Sequence, residues 1–274
     1  MRPTEEQTIL VTGATDGLGR QVALDLAGRG ATVLVHGRNP EKIEDTVDEI
    51  RRGSGKAESY VADLSSLAEV RRLAEDVRAD HDRLDVLVNN AGIGSGSDGT
   101  RRELSADGLE LRFAVNYLAG FLLTIELLAL LRASAPARVV NVSSAGQMPI
   151  DFADPMLEHG YSGVRAYCQS KLAQIMFTAE LAERVPPDEL AVTALHPATY
   201  MDTNMVRESG APITSTVRQG ADATERLIAD PSLDGVSGRY FNGMRETRPD
   251  PQAADPAART QLWDLSERLV AGAA

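Results

Sequence analysis

Apolar residues in this chain fall in short continuous runs that alternate with stretches of helical spacing. The run "QTILVT" (7–12) leads into a glycine-rich turn, and "RQVALDLAGRG" behind it has helical periodicity with Gly30 as a stop. "ATVLVHG" is a second run. It precedes "NPEKIEDTVDEIRR", a predicted helix with Asn39 as N-cap and Pro40 in the first helical position. "AESYVAD" is the third, and the helix after it opens at Ser66 with Glu69 three residues on, the spacing of a capping box. Further strands are predicted at 84–92, 137–144, 190–197 and 236–241, and a last helix at 259–270. Runs this short and evenly apolar fit a parallel sheet covered on both faces. The expectation is therefore α/β: one doubly wound domain over residues 1–274 with a mostly parallel, seven-stranded sheet. Ligands of such sheets sit beyond the carboxyl ends of the strands.

Composition narrows the partners. A formal charge of −12 argues against a nucleic-acid partner, whose phosphates require clustered Lys and Arg. Cys168 is the only cysteine, which excludes internal disulfides. His36, His81, His159 and His196 show no metal-ligand spacing, so no metal is expected. The N-terminal residues "MRPTEEQTILV" carry two acids and no long apolar core, unlike a secretory signal. The oily run 118–131 contains Glu126 and is shorter than the roughly 20 residues of a membrane span. A soluble, cytoplasmic protein without a membrane span is expected.

Candidate chemistry collects at strand ends. In "TGATDGLG", Gly13 permits a tight turn, Gly17 lets backbone approach a ligand and Gly19 lets helix and strand pack closely, leaving amides aimed at a pyrophosphate. A glycine-rich turn without a ligand has the same composition. At the end of the second strand Gly37 leaves space and Arg38 supplies a cation, which favours a 2′-phosphate, although exposed arginines are common and Asp16 adds negative charge nearby. Asp63 suits an adenine amino group or a helix start equally. "NNAG" (89–92) suits backbone passing close to a flat cofactor, or a plain turn. Tyr167 and Lys171 stand four apart on a predicted helix, so their side chains share a face. An ammonium beside a phenol would make a usable proton shuttle, but such neighbours are also ordinary helix surface.

Taken in chain order, "TGATDGLG", "NNAG", "VNYLAG", "VNVSS", "YCQSK" and "HPAT" resemble a short-chain dehydrogenase/reductase of the classical type, over nearly the whole chain. The resemblance implies a Rossmann-type fold and an oxidoreductase interconverting a carbonyl and an alcohol. It implies a catalytic set of Asn116, Ser144, Tyr167 and Lys171. Tyr167 would be the proton donor or acceptor and Ser144 would hydrogen-bond the substrate oxygen. Lys171 would lower the Tyr167 pKa and hold the nicotinamide ribose, and Asn116 would support a water chain to Lys171. Cofactor contacts are implied at Gly13, Thr15, Asp16, Gly17, Leu18 and Gly19, and at Arg38, Asp63 and Leu64. Others are implied at Asn90, Ala91 and Gly92, from Tyr167 and Lys171, and at Pro197 and Thr199. NADP(H) is favoured over NAD(H). The alternatives are an NAD(H)-dependent alcohol dehydrogenase and a non-catalytic nucleotide sensor.

The long 145–166 segment and the C-terminal "GRYFNGMRE" through "LWDLSERLV" resemble the retinol-dehydrogenase-like group, which implies a small, apolar carbonyl or alcohol substrate. Met148, Ile150, Phe152 and Met156 then either line a pocket or anchor the loop. Pro197-Ala198 stands where the family carries Pro-Gly, and Asp202, with Thr203 next to it, falls at or beside the position of a cofactor-contacting threonine. Residues 199–215 are a candidate lid. The helices at 113–132 and around Tyr167 resemble the family's subunit contacts, implying a homodimer or homotetramer.

Overall fold

The computed structural model describes residues 1–96 and 98–272. Eight strands form one sheet: β1 (Thr8–Val11), β2 (Thr32–Gly37), β3 (Lys56–Val61), β4 (Val86–Asn89), β5 (Ala137–Val142), β6 (Leu190–His196), β7 (Arg239–Asn242) and β8 (Arg245–Glu246). Their order is β3-β2-β1-β4-β5-β6-β7-β8, and all but the last run parallel. The expected seven strands are thus eight. β8 is a short antiparallel return on β7, with Phe241 opposite Glu246, and two residues are too few to show a period.

The helices are α1 (Gly17–Gly28), α2 (Pro40–Arg52), α3 (Leu67–Asp80), α4 (Ala119–Ala133), α5 (Gly163–Arg184), α6 (Asn204–Ser209), α7 (Val217–Ala229) and α8 (Pro256–Ala271). One core joins α1, α2 and α7 to a face of the sheet; the other joins α3, α4, α5 and α8 to the opposite face. Both faces are covered over the central strands, which is why β1, β4, β5 and β6 are buried at every position, whereas β3 at the sheet edge buries only Ala57 and Tyr60. The helix starts follow their caps: Asn39 Oδ1 accepts from Lys42 N at 3.1 Å with Pro40 next, and Ser66 Oγ accepts from Glu69 N at 3.4 Å. The box expected at Ser66 is only half formed. The Glu69 carboxylate accepts instead from Asp63 N at 2.7 Å, closing the turn that leaves β3.

A π-helical stretch, Phe113–Leu118, runs into α4, so the apolar helix begins ahead of the oily run read from the sequence. Phe113–Ala133 is 21 residues long and contains an 18-residue window of mean hydropathy 1.9, long and apolar enough by those measures to cross a membrane, and 61% of that window is buried within the domain. Its hydrophobicity serves packing against α3 and α5. On the same side, the Trp263 ring of α8 meets Phe121 edge-on at 5.2 Å and stacks on Phe177 at 6.1 Å. The Arg184 guanidinium lies 3.9 Å over the indole, and Tyr117 OH bonds Ser266 Oγ at 2.7 Å. Arg259 pairs with Glu180 and Glu183. α8 therefore covers, within one chain, the two helices whose resemblance implied subunit contacts. α5 is left almost wholly buried, while Ile125, Leu128 and Leu130 of α4 stay half-buried.

Trp263→Ala should cost about 3–5 kcal/mol, because the cavity opens among rings that cannot collapse into it. Urea unfolding should show a lower midpoint at unchanged slope.

Candidate active site

Strand order reverses between β1 and β4, and the two strand ends are laced together there. Asn90 Nδ2 donates to the carbonyls of Thr12 (2.8 Å) and Gly13 (3.2 Å), while Thr12 Oγ1 accepts from the backbone N–H of Asn90 and of Ala91, both at 3.0 Å. Asn90 N turns back to Val88 O, which ends β4 earlier than the predicted 84–92. Gly13 has φ +65°, and a methyl group added there would lie 2.9 Å from Ala91 Cα. At Gly19 the same addition would fall 2.3 Å from Asn90 Nδ2 and from Gly13 O. The sequence-predicted turn thus brings Gly13 and Gly19 beside Asn90 and Ala91, while Thr15 lies against Gly37, Gly17 faces Thr203 and Leu18 lies near Gly220, with α1 starting at Gly17.

Asp16 is the N-cap of α1, its Oδ1 accepting from Gly17 N at 2.8 Å, and its other oxygen accepts from Asn204. Arg38 is exposed, with no ion pair or hydrogen bond among the described residues. Ahead of it, His36 is a residue the sequence reading gave no role. Its Nδ1 accepts from Gly13 N (3.2 Å) and its Nε2 donates to Ala62 O (3.1 Å), so one neutral imidazole ties the glycine turn to the end of β3. Burial lowers its pKa to about 4, keeping it neutral. Asp63 Oδ1 accepts from Ser65 N at 2.9 Å, and Leu64 is buried.

Asn116 sits in the π-helical stretch, a distortion that often re-aims a side chain at a functional site. Its Oδ1 accepts from Ile93 N (2.7 Å), and its Nδ2 donates to Ile93 O (3.1 Å) and Ser170 Oγ (3.0 Å). Here the carboxamide grips the backbone after Gly92. Ser144 lies just past β5 and Tyr167 and Lys171 lie on α5. A methyl group added at Gly146 would touch both Ser144 Oγ (3.5 Å) and Tyr167 Cε1 (3.9 Å). Lys171 Nζ is 5.8 Å from the Tyr167 ring centroid, and one added at Gly92 would lie 3.5 Å from that Nζ. Three of the expected catalytic residues therefore converge, with Asn116 behind them.

The expected electrostatics differ from those found. Burial raises the Tyr167 phenol, and the group opposing that shift is the Ser144 side chain. Lys171 is not among the causes. Its ammonium donates to Val142 O (2.9 Å) and Gln174 Oε1 (3.0 Å), and full burial without a carboxylate partner lowers its pKa to about 7. The Lys171–Gln174 contact, one helical turn apart, was readable from spacing alone.

After β6, Pro197 is buried and Thr199 is exposed, its Oγ1 bonded to His196 Nε2 at 2.9 Å. Thr214 Oγ1 donates to Thr199 O at 2.8 Å, joining the two ends of the 199–215 segment. Asp202 faces away and pairs with Arg207 at 2.7 Å. Thr203 is the residue over the glycine turn, its Cγ2 lying 2.9 Å from where a methyl group on Gly17 would stand. In the 145–166 segment Ile150 is buried and Phe152 and Met156 pack on the core, so these three anchor the loop while Met148 is exposed.

The family model of short chain dehydrogenases matches residues 7–213. Retinol dehydrogenase 13 of Mus musculus is 37% identical over 284 aligned positions, covering 96% of this chain and 84% of that protein. A crystal structure of an uncharacterised Mycobacterium paratuberculosis protein superposes with a TM-score of 0.78 at 31% identity, covering 97% of this chain and 93% of that one. A short chain dehydrogenase of Shigella flexneri complexed with NADP superposes with a TM-score of 0.69 at 27% identity, covering 88% and 98%.

The burial of Lys171 predicts a pH signature in stability. Its folded pKa, about 7, lies below the ordinary 10.5, so between those values the unfolded chain binds a proton that the folded chain does not. This group's contribution therefore makes wild type more stable as pH rises through that window. Lys171→Met removes the dependence, and the variant's stability relative to wild type should decline steadily from about pH 7 to 10.5, whatever constant offset the two abandoned acceptors add. Melting temperatures across pH check it; a flat difference contradicts it.

Proposed function

The chain belongs to the short-chain dehydrogenase family and is an NAD(P)-dependent oxidoreductase of alcohol and carbonyl groups; on that premise we propose that it favours NADP(H) and takes an apolar substrate, with Tyr167 moving the proton. The observation that carries this reading is the convergence of Ser144, Tyr167 and Lys171 at the carboxyl ends of the central strands.

The residues fit a nicotinamide dinucleotide. Gly13 and Gly19 let the turn pack against Ala91 and Asn90 where a Cβ would collide, which sets the N-terminal amides of α1 at the end of β1, the place that suits a pyrophosphate. Arg38, unpaired among the described residues, is a cation beside Gly37 at the end of β2, suited to a 2′-phosphate. Asp16, the acid that would argue for free ribose hydroxyls, is engaged by Gly17 N and Asn204. Asp63 and Leu64 would border the adenine, and Asn90, Ala91, Gly92, Pro197 and Thr199 the nicotinamide end. The bound nucleotide would supply a hydride to the carbonyl carbon, or take one from the alcohol carbon.

Around that transfer the chain's own groups do the rest. A phenol that desolvation holds above its ordinary pKa is protonated at neutral pH, the form that gives a proton to a carbonyl oxygen during reduction. Ser144 Oγ, beside the phenol, would hydrogen-bond the same oxygen as charge develops on it. Lys171 has spent two N–H donors on Val142 O and Gln174 Oε1, and its third would serve the nicotinamide ribose. An apolar substrate is supported by exposed Met148 (40%) after Ser144 and by exposed Tyr200 (48%) and Ile213 (51%) in the 199–215 segment. The names of the retinol dehydrogenase relatives point the same way.

A panel of aromatic, steroid, retinoid and polar carbonyls, followed by NADPH absorbance, should show turnover confined to the apolar members. Arg38→Asp should weaken NADPH about 10- to 100-fold, the worth of a charge-assisted contact, and leave NADH nearly unaffected. An unchanged NADPH-to-NADH preference would sink the cofactor assignment.

A further inference from the structure

We infer that Tyr240 is a positioning residue for the reaction: its hydroxyl, donated from β7 to the Ser144 carbonyl, sets the orientation from which the Ser144 hydroxyl reaches the substrate oxygen. The inference rests on the catalytic reading of Ser144.

Ser144 stands where the sheet stops holding the chain. Ser143 is still tied, its N–H to Leu195 O at 2.8 Å and its Oγ to Lys171 O at 2.7 Å. One residue on, the Ser144 carbonyl is held by side chains alone: Tyr240 OH at 2.9 Å and Gln147 Nε2 at 3.1 Å. Its Oγ accepts from Gly146 N at 3.0 Å, so peptide orientation and hydroxyl orientation are coupled within one small turn.

Tyr240 is built to be that anchor. It is 5% exposed, in register with the small Ala194 of β6, which is itself in register with Asn141 of β5, so the tyrosine comes from two strands away. A buried phenol needs a partner for its O–H, and here that partner is the Ser144 carbonyl. Burial pushes its pKa up to about 12, with the Gln147 side chain opposing the shift and the nearby Tyr167 adding to it, so the group remains a donor across the working pH range. β7 is in turn followed by a segment stapled to the same loop. Asp250 N donates to Gln147 Oε1 (2.8 Å), and Gln252 bonds Ile150 both ways, accepting from its N–H (2.7 Å) and donating to its carbonyl (3.1 Å).

Steady-state reduction of an apolar carbonyl by wild type, Tyr240→Phe, Ser144→Ala and the double variant tests this, with melting temperature and NADPH affinity measured on each. Tyr240→Phe should lower kcat about 3- to 10-fold, the worth of one hydrogen bond, with KM and NADPH affinity nearly unchanged. In the Ser144→Ala background the same change should have no further effect on kcat. A fall of equal size in both backgrounds, or none in the wild-type background, overturns the inference while leaving Ser144 catalytic. Wild-type turnover by Ser144→Ala overturns the catalytic reading and the inference with it. Should Tyr240→Phe fail to fold, Gln147→Met removes the other donor to the same carbonyl, and the same non-additivity with Ser144→Ala is expected; additivity there overturns the inference.

Discussion

The reversal of strand order between β1 and β4 is the constraint on which the rest of the molecule depends. A parallel sheet needs helices on both faces, and winding outward in both directions from one seam leaves a crevice at that seam. Here the seam is closed by Asn90 and Thr12, whose side chains satisfy the backbone groups that the ending ladder abandons. Every later feature of the site is placed relative to it. The glycine turn packs against Ala91, His36 ties that turn to the neighbouring strand end, and Asn116 holds the backbone just beyond Gly92.

On the other side of the crevice the protein carries a destabilising group in its interior. Lys171 is buried with neutral acceptors and, among the described residues, no counter-charge, an arrangement that disfavours its charged form. A polar chain runs behind it through Gln174, Thr178 and Asn141 to Asn89, whose Oδ1 remains buried without a partner. Unfavourable burial of this kind, concentrated beside Tyr167 and Ser144, is what a site organised around proton movement would tolerate. The apolar mass of α4, α5 and α8 on the same face holds it in place.

Much of this was legible because it is local. Asn39 and Ser66 bond amides three residues on, so caps can be read from adjacent letters, and continuous apolar runs reveal a sheet covered on both faces. The convergence of Ser144, Tyr167 and Lys171 was legible through resemblance more than through spacing, since Ser144 and Tyr167 are linked only by the fold. What escaped is non-local or ambiguous. The Tyr240 contact spans 96 residues and the Asp16–Asn204 contact 188, and no periodicity reports such pairs. A tyrosine inside the short strand β7 was a hint that a polar partner lay nearby. The spacing after β6 left Asp202 and its neighbour Thr203 both at or beside one position, and only the geometry turns Thr203 toward Gly17 while Asp202 pairs with Arg207. Glu69 completed the letters of a capping box and still turned to Asp63, because the Ser66 N–H that the box would use is already donated to Asp63 O.

The central claim is that a half-buried, protonated Tyr167 delivers the proton that accompanies carbonyl reduction. Rapid mixing of the NADPH-loaded enzyme with an accepted aldehyde, comparing wild type with Tyr167→Phe, reads that step directly, with nucleotide affinity measured separately. The account predicts NADPH binding nearly unchanged and NADPH oxidation slowed by roughly 100- to 10,000-fold, the usual contribution of a positioned general acid. Oxidation by Tyr167→Phe at the wild-type rate would contradict it.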